Sequence, residues 1–188
     1  MATPPTFTSG SILTSAQMNA VGLWKIASGS TTNTSALDVN SVFSSDFDNY
    51  RIVVQMASRT TLQYARCQLR TVGALTTTGY QSASKWYNIT QSNTTFQDND
   101  QSTGALTGGP SGDQSLTRWA LWTFDLANPN KAQTTAMTGS GTGVRKDDNW
   151  YSWISGGVQT DSTQFTGIRF LANSGTFDIN YIIYGYRN

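Results

Sequence analysis

The stretch LTRWALWTFDLAN, residues Leu116 to Asn128, decides the fold class. It is the longest strand-like run in the chain. Apolar residues occupy both of its faces, which predicts a central strand or one buried by a second layer. On its N-terminal side YRIVVQMAS, Tyr50 to Ser58, alternates cleanly. Ile52, Val54 and Met56 share one face, and Arg51, Val53 and Gln55 the other. YARCQLRTV, Tyr64 to Val72, follows, with Ala65, Cys67 and Leu69 pointing in and Arg66, Gln68 and Arg70 pointing out. Its position predicts a hairpin with Tyr50 to Ser58. Further strands are predicted at Leu23 to Ser30, Ala36 to Phe43, Lys85 to Thr90, Thr134 to Thr142, Trp150 to Gln159, Thr166 to Ala172 and Thr176 to Tyr186.

Thr31 to Ser35 reads as a polar turn, and Gly73 to Ser84 as a Thr/Gly loop. Asn93 to Gln114 is polar, glycine-rich and without apolar periodicity. It reads as a surface excursion, with one short strand near Thr94 to Gln97. The pattern totals about eight to ten strands at intervals of roughly 10–15 residues, with Gly, Asn, Asp and Ser between them. It predicts an all-β chain, an antiparallel β-sandwich of jelly-roll-like type. No helices alternate with the strands, so a parallel α/β sheet is not expected.

The first two dozen residues, MATPPTFTSGSILTSAQMNAVGLW, are of a different kind. Thr14 and Gln17 are spaced as a capping box, and Leu13 and Met18 as a hydrophobic staple. Gly22 suits a left-handed C-cap. A short helix over Ser15 to Val21 is predicted. Helices below roughly 12–15 residues are marginal in water, so this one must dock on something. Ahead of it runs an uncharged arm containing Pro4, Pro5 and Phe7. The expected division is residues 1–22 as N-terminal extended arm and one short helix, and 23–188 as the sandwich domain. Pro4, Pro5, Phe7, Ile12, Leu13, Met18 and Trp24 are the candidate anchoring residues.

Composition narrows the function classes. The 188 residues hold 12% charged residues and a net charge of +1. That charged share is about half of what is usual in a soluble domain. Every acidic residue is aspartate, and Thr, Ser, Gly, Asn and Gln dominate. The charge balance argues against nucleic acid, which wants a basic patch. No run reaches the roughly 18 apolar residues of a membrane span. The start lacks the charged n-region and apolar core of a signal peptide. The three Asn-x-Thr/Ser triplets, at Asn33, Asn88 and Asn93, therefore read as chance matches in a Thr-rich chain.

Catalytic groups are scarce. With no histidine there is no Ser-His-Asp arrangement and no histidine metal ligand. The lone Cys67 has no histidine to activate it and reads as a small buried hydrophobe. The aspartate pairs Asp46/Asp48, Asp98/Asp100 and Asp147/Asp148 all fall in expected turns, where Asp hydrogen-bonds its own backbone. Asp98 to Gly104 resembles a calcium loop faintly, but its glycine is one position late and the bidentate glutamate is missing. The expectation is no enzyme, no catalytic residue, no metal and no cofactor.

Aromatic clusters are more informative. Trp86-Tyr87 and Trp150-Tyr151-Ser152-Trp153 put large rings on adjacent positions. Adjacent strand positions face opposite sides, so these rings cannot all enter one core. Trp86, Tyr87, Trp150, Tyr151 and Trp153 are therefore candidate glycan-binding or interface aromatics. Trp86, Trp150 and Trp153 would form the platform of a carbohydrate-binding module, which is the alternative reading of the chain.

Four stretches resemble a known group. PTFTSGSILTSAQMNAVGLW (Pro5 to Trp24) is similar to a segment at the start of small virion structural proteins of tailed bacteriophages. IIYGYRN (Ile182 to Asn188) resembles their last strand, and VFSSDFDNYRI (Val42 to Ile52) and LANPNK (Leu126 to Lys131) also fit. Gly73 to Ser115 matches nothing in that group. The resemblance implies a fibre, spike or decoration protein in a virion assembled in the bacterial host cytoplasm. Its implied partners are other phage virion proteins, a second and third copy in a homotrimer, and a host surface glycan. Nucleic acid and membrane insertion are not expected.

Overall fold

The computed structural model describes residues 9–10, 22–59, 64–90, 95–98, 104–110, 112–113, 118–144, 149–172 and 174–186. These residues form thirteen strands and no helix. In chain order they are β1 (Trp24–Thr34), β2 (Ala36–Val39), β3 (Asn49–Ser58), β4 (Tyr64–Arg70), β5 (Tyr80–Asn88), β6 (Thr95–Asp98), β7 (Leu106–Pro110), β8 (Gly112–Asp113), β9 (Arg118–Ala127), β10 (Thr135–Val144), β11 (Trp150–Gln159), β12 (Gly167–Ala172) and β13 (Phe177–Tyr186). Two sheets result. One has nine strands in the order β1-β13-β3-β8-β9-β10-β11-β5-β6, with β3 also paired directly to β9. The other has four, β2-β12-β4-β7. Every pairing is antiparallel except the single β3–β8 contact.

The expected antiparallel sandwich is what the chain forms, with repeated crossings between unequal sheets. The predicted helix over Ser15 to Val21 lies outside the described residues, as do Pro4, Pro5, Phe7, Ile12, Leu13 and Met18.

The core fills the space between the sheets. Ile52, Val54 and Met56 of β3 are buried, as are Trp122, Phe124 and Leu126 of β9. From the smaller sheet Cys67 and Leu69 of β4 and Ile168 and Phe170 of β12 join the same cluster. The Tyr80 hydroxyl ties the layers together: it accepts the Leu69 N–H at 2.6 Å and donates to the Thr76 carbonyl at 3.2 Å.

Besides the start of β5 at Tyr80, inside the expected Gly73 to Ser84 loop, three expectations need correction. β4 does not pair with β3 as a hairpin; it pairs with β12 and β7 in the other sheet. β3 is already flanked by β13 and β9 over most of its length, so no edge is left for β4. Thr31 to Thr34 is strand, not turn, because β13 supplies a ladder partner as far as Thr34 despite the polar side chains. A bulge there places Asn33 at φ 53°.

The third correction is the largest. Leu106 to Pro110, inside the expected surface excursion, is β7, and Ala105, Leu106 and Thr107 are buried. β7 lies over β10, β11 and β5. Those strands turn Gly139, Gly141, Gly157, Ser82 and Ser84 toward it, leaving room for Leu106 and the large rings. A Cβ on Gly109 would come within 2.2 Å of the Trp153 ring, and one on Gly108 within 2.8 Å of Trp122. The glycines are slots for indoles. The expected short strand near Thr94 to Gln97 is β6.

Candidate functional site

The described segments that carry the resemblance meet at one end of the sandwich. One row of strand partners runs Trp24, Gly185, Tyr50, Leu126, joining the end of the leader, the last strand and both internal motifs. Around that row the Asn128 N–H donates to the Asp48 carbonyl at 2.7 Å, and Lys131 pairs with the Asp48 carboxylate at 2.6 Å. The Tyr50 hydroxyl accepts the Ser44 N–H and donates to the Ser44 carbonyl, at 2.7 and 3.0 Å. Phe47 fills the space that Gly185 leaves open. Trp24, a candidate anchoring residue, is half-buried against the chain's own core. Its place at the start of β1 makes this end the point where residues 1–21 join the sandwich.

The adjacent aromatics divide by the period of two. Trp86, Tyr151 and Trp153 are inside, at 3%, 1% and 1% exposure. They therefore cannot serve as a surface platform or an interface, which corrects the trio Trp86, Trp150, Trp153. Tyr87 and Trp150 point outward, 45% and 39% exposed. Both lie on the face of the nine-stranded sheet turned away from β7. Ile89, Leu121 and Ile154 share that face, which thus holds five of the seven large hydrophobics exposed on the described surface. Trp150 lies opposite Ile89, whose N–H donates to the Trp150 carbonyl.

A shallow trough of about 820 Å³ crosses the same face over β3, β9, β10, β11 and β5. Small residues make its floor: Thr138, Ser140, Gly156 and Ala83. On one side Arg51 reaches Asp125 through two hydrogen bonds, Nε to Oδ1 at 2.9 Å and Nη2 to Oδ2 at 2.8 Å. On the other stand Ile154 and Lys85, opposite one another in the β11–β5 ladder. The Lys85 ammonium sits 5.6 Å from the centre of the Tyr87 ring, in reach of its negative face. The Arg51–Asp125 pair was not foreseen. Arg51 is visible on the outer face of its strand, but its meeting with Asp125 depends on the β3–β9 register.

The described residues bring no catalytic constellation together. Cys67 is fully buried, and burial pushes its thiol well above the ordinary range, the opposite of an activated nucleophile. Asp46 and Asp48 sit in the expected turn: Asp46 takes the Ser44 hydroxyl and Asp48 takes Lys131. The Asp147/Asp148 pair lies outside the described residues; of Asp98 to Gly104, only the ends Asp98 and Gly104 lie within them. Among the described residues no group of His, Cys, Asp or Glu could hold a metal ion, and no helix is long and apolar enough to cross a membrane. No family model, curated protein or solved structure matches this chain.

Proposed function

We propose that this chain is a structural protein of a tailed-phage particle, held by residues 1–21 and presenting its sandwich on the virion surface as a fibre or spike component. The observation that carries the reading is the polarity of the sandwich. The row that contains Trp24 reaches β11 at Gly157, seven residues along from Trp150 and five strands across from β1. At ordinary strand spacings that separates the attachment point from the exposed aromatics by about 23 Å along the strands and about 24 Å across them. A chain fastened at one corner and displaying apolar rings at the opposite corner suits an attached, outward-facing module. The leader and closing strand of the resemblance supply the phage context, and the charge-poor, Thr/Ser/Gly-rich composition suits a durable outer surface.

Deletion of residues 1–21 tests it. The truncated protein is expected to fold, with the melting transition of the full chain, and to be missing from purified particles. Incorporation at the full-length level would remove the anchoring role.

A further inference from the structure

We propose that the open face of the nine-stranded sheet binds an oligosaccharide, its sugars lying along the trough and out over Tyr87 and Trp150. This rests on the reading of the sandwich as an outward-facing module. The lining decides the class of ligand. A sugar chain has a rim of hydroxyls that both donate and accept, and C–H faces that pack on flat rings. Both requirements are met on one face. Thr123, Thr138 and Ser140 line the trough. Arg51 and Asp125 already use one guanidinium edge and both carboxylate oxygens on each other; the remaining guanidinium N–H groups and the outer oxygen lone pairs, on side chains 45% and 26% exposed, are left for neighbouring hydroxyls. Ile154, 58% exposed, gives the trough an apolar wall.

Beyond the trough the same face continues. In the β11–β5 ladder the rows after Ile154–Lys85 are Ser152–Tyr87 and then the level of Trp150 and Ile89. Trp150 stands four residues from Ile154, about 13 Å along the strand. The ring positions thus extend the site past the length of one sugar, which points to a chain and not a monosaccharide.

Charge separates this occupant from its rivals. The walls of the trough, which any occupant of this face would cover, hold Arg51, Asp125 and Lys85. Charged residues are depleted at the centre of protein–protein interfaces, so a second copy seated here would bury the wrong groups. Two cations against one carboxylate is far from the basic stripe that nucleic acid needs. Lys85 allows one acidic substituent on the sugar.

The test uses the full chain on an array of neutral and acidic bacterial surface oligosaccharides, followed by calorimetric titration of the strongest hit. Binding is expected to rise with chain length. Trp150→Ala should weaken a long oligosaccharide about tenfold and a disaccharide hardly at all, as loss of one anchoring ring would. Asp125→Asn should weaken both by about tenfold or more, with the melting temperature of each variant within a few degrees of the parent. Absence of binding to every oligosaccharide on the array, or affinities unchanged in both variants, would overturn the proposal. So would conversion of an oligomer to monomer by Leu121→Lys with Ile154→Lys, which would make the face a subunit interface. Failure here leaves particle incorporation untouched, and loss of the anchoring role leaves sugar binding untouched, so the two readings fail separately.

Discussion

The two faces of the nine-stranded sheet use the same residue types to opposite ends. On the inner face Trp86, Trp122, Tyr151 and Trp153 are buried under the four-stranded sheet, with glycines cut to their shape. On the outer face Tyr87 and Trp150 stand beside a trough floored by small residues and lined by charge. Trp150 and Trp153 are three positions apart on one strand, and only the pleat separates them. Burial makes one ring a load on the fold. Exposure makes the other available to something outside it.

The sharpest way to break this contrast is to truncate both rings. Trp153→Ala is expected to cost about 3–5 kcal/mol, the range for a large aromatic removed from a core. Trp150→Ala is expected to change stability by no more than about 0.5 kcal/mol. Urea unfolding of the two variants checks the pair, and equal losses would place both rings in the core.

Glycines extend the comparison in the other direction, by adding one methyl group. At Gly109 the new carbon would lie 2.2 Å from the Trp153 ring, and at Gly156 its nearest neighbour is the Met137 carbonyl at 3.7 Å. Gly109→Ala should destabilise by about 1–3 kcal/mol through overpacking. Gly156→Ala should be neutral or stabilising by up to about 1 kcal/mol, since it only restricts the unfolded chain. Thermal melts separate the two outcomes.

Legibility from sequence followed the same division. β3 was readable because its apolar residues recur every second position, and burial tracks that alternation; β9 was readable from the length of its apolar run. The inward set Ala65, Cys67 and Leu69 was also readable, yet the partner of β4 was not. Alternation shows which face is buried, not which strand lies alongside. β7 was missed because its burial rests on the absence of side chains: Gly108 and Gly109 look like a loop until Trp122 and Trp153 are placed against them. The outer site was half legible. Adjacent aromatics required that some rings face out, but which ones did so depended on the phase of each strand. Arg51 and Asp125 are 74 positions apart and give no local signal.

Acid offers a third, smaller probe. The Asp178 side chain is 3% exposed and paired with Arg59, while Asp125 on the outer face is 26% exposed. The hydrogen bonds from Arg59 hold the Asp178 carboxyl below the usual carboxylate range, and the Asn33 N–H adds to them at 2.8 Å. Asp38 is lowered likewise, first by Arg169 and then by Arg70. A carboxyl with a depressed folded pKa contributes stability above its unfolded value of about 3.9, and loses it as pH falls through the folded one. The urea midpoint should therefore be insensitive to these two groups from pH 7 to about 5 and fall below about pH 4. In Asp178→Asn that acid-side fall should be shallower, from a lower plateau at neutral pH. Asp125→Asn should change stability at neutral pH by at most about 1 kcal/mol, the range for an exposed ion pair.

The central claim is that the sandwich is fastened at the Trp24 corner and open on its nine-stranded face. Its most direct measurement is a reconstruction of the intact particle at a resolution that places this chain. The account predicts the sandwich outside the shell or tail, with Trp24 toward the particle and Tyr87, Trp150 and the Arg51–Asp125 pair facing solvent. Absence of the chain from the particle, or a nine-stranded face covered by another virion protein, would contradict it.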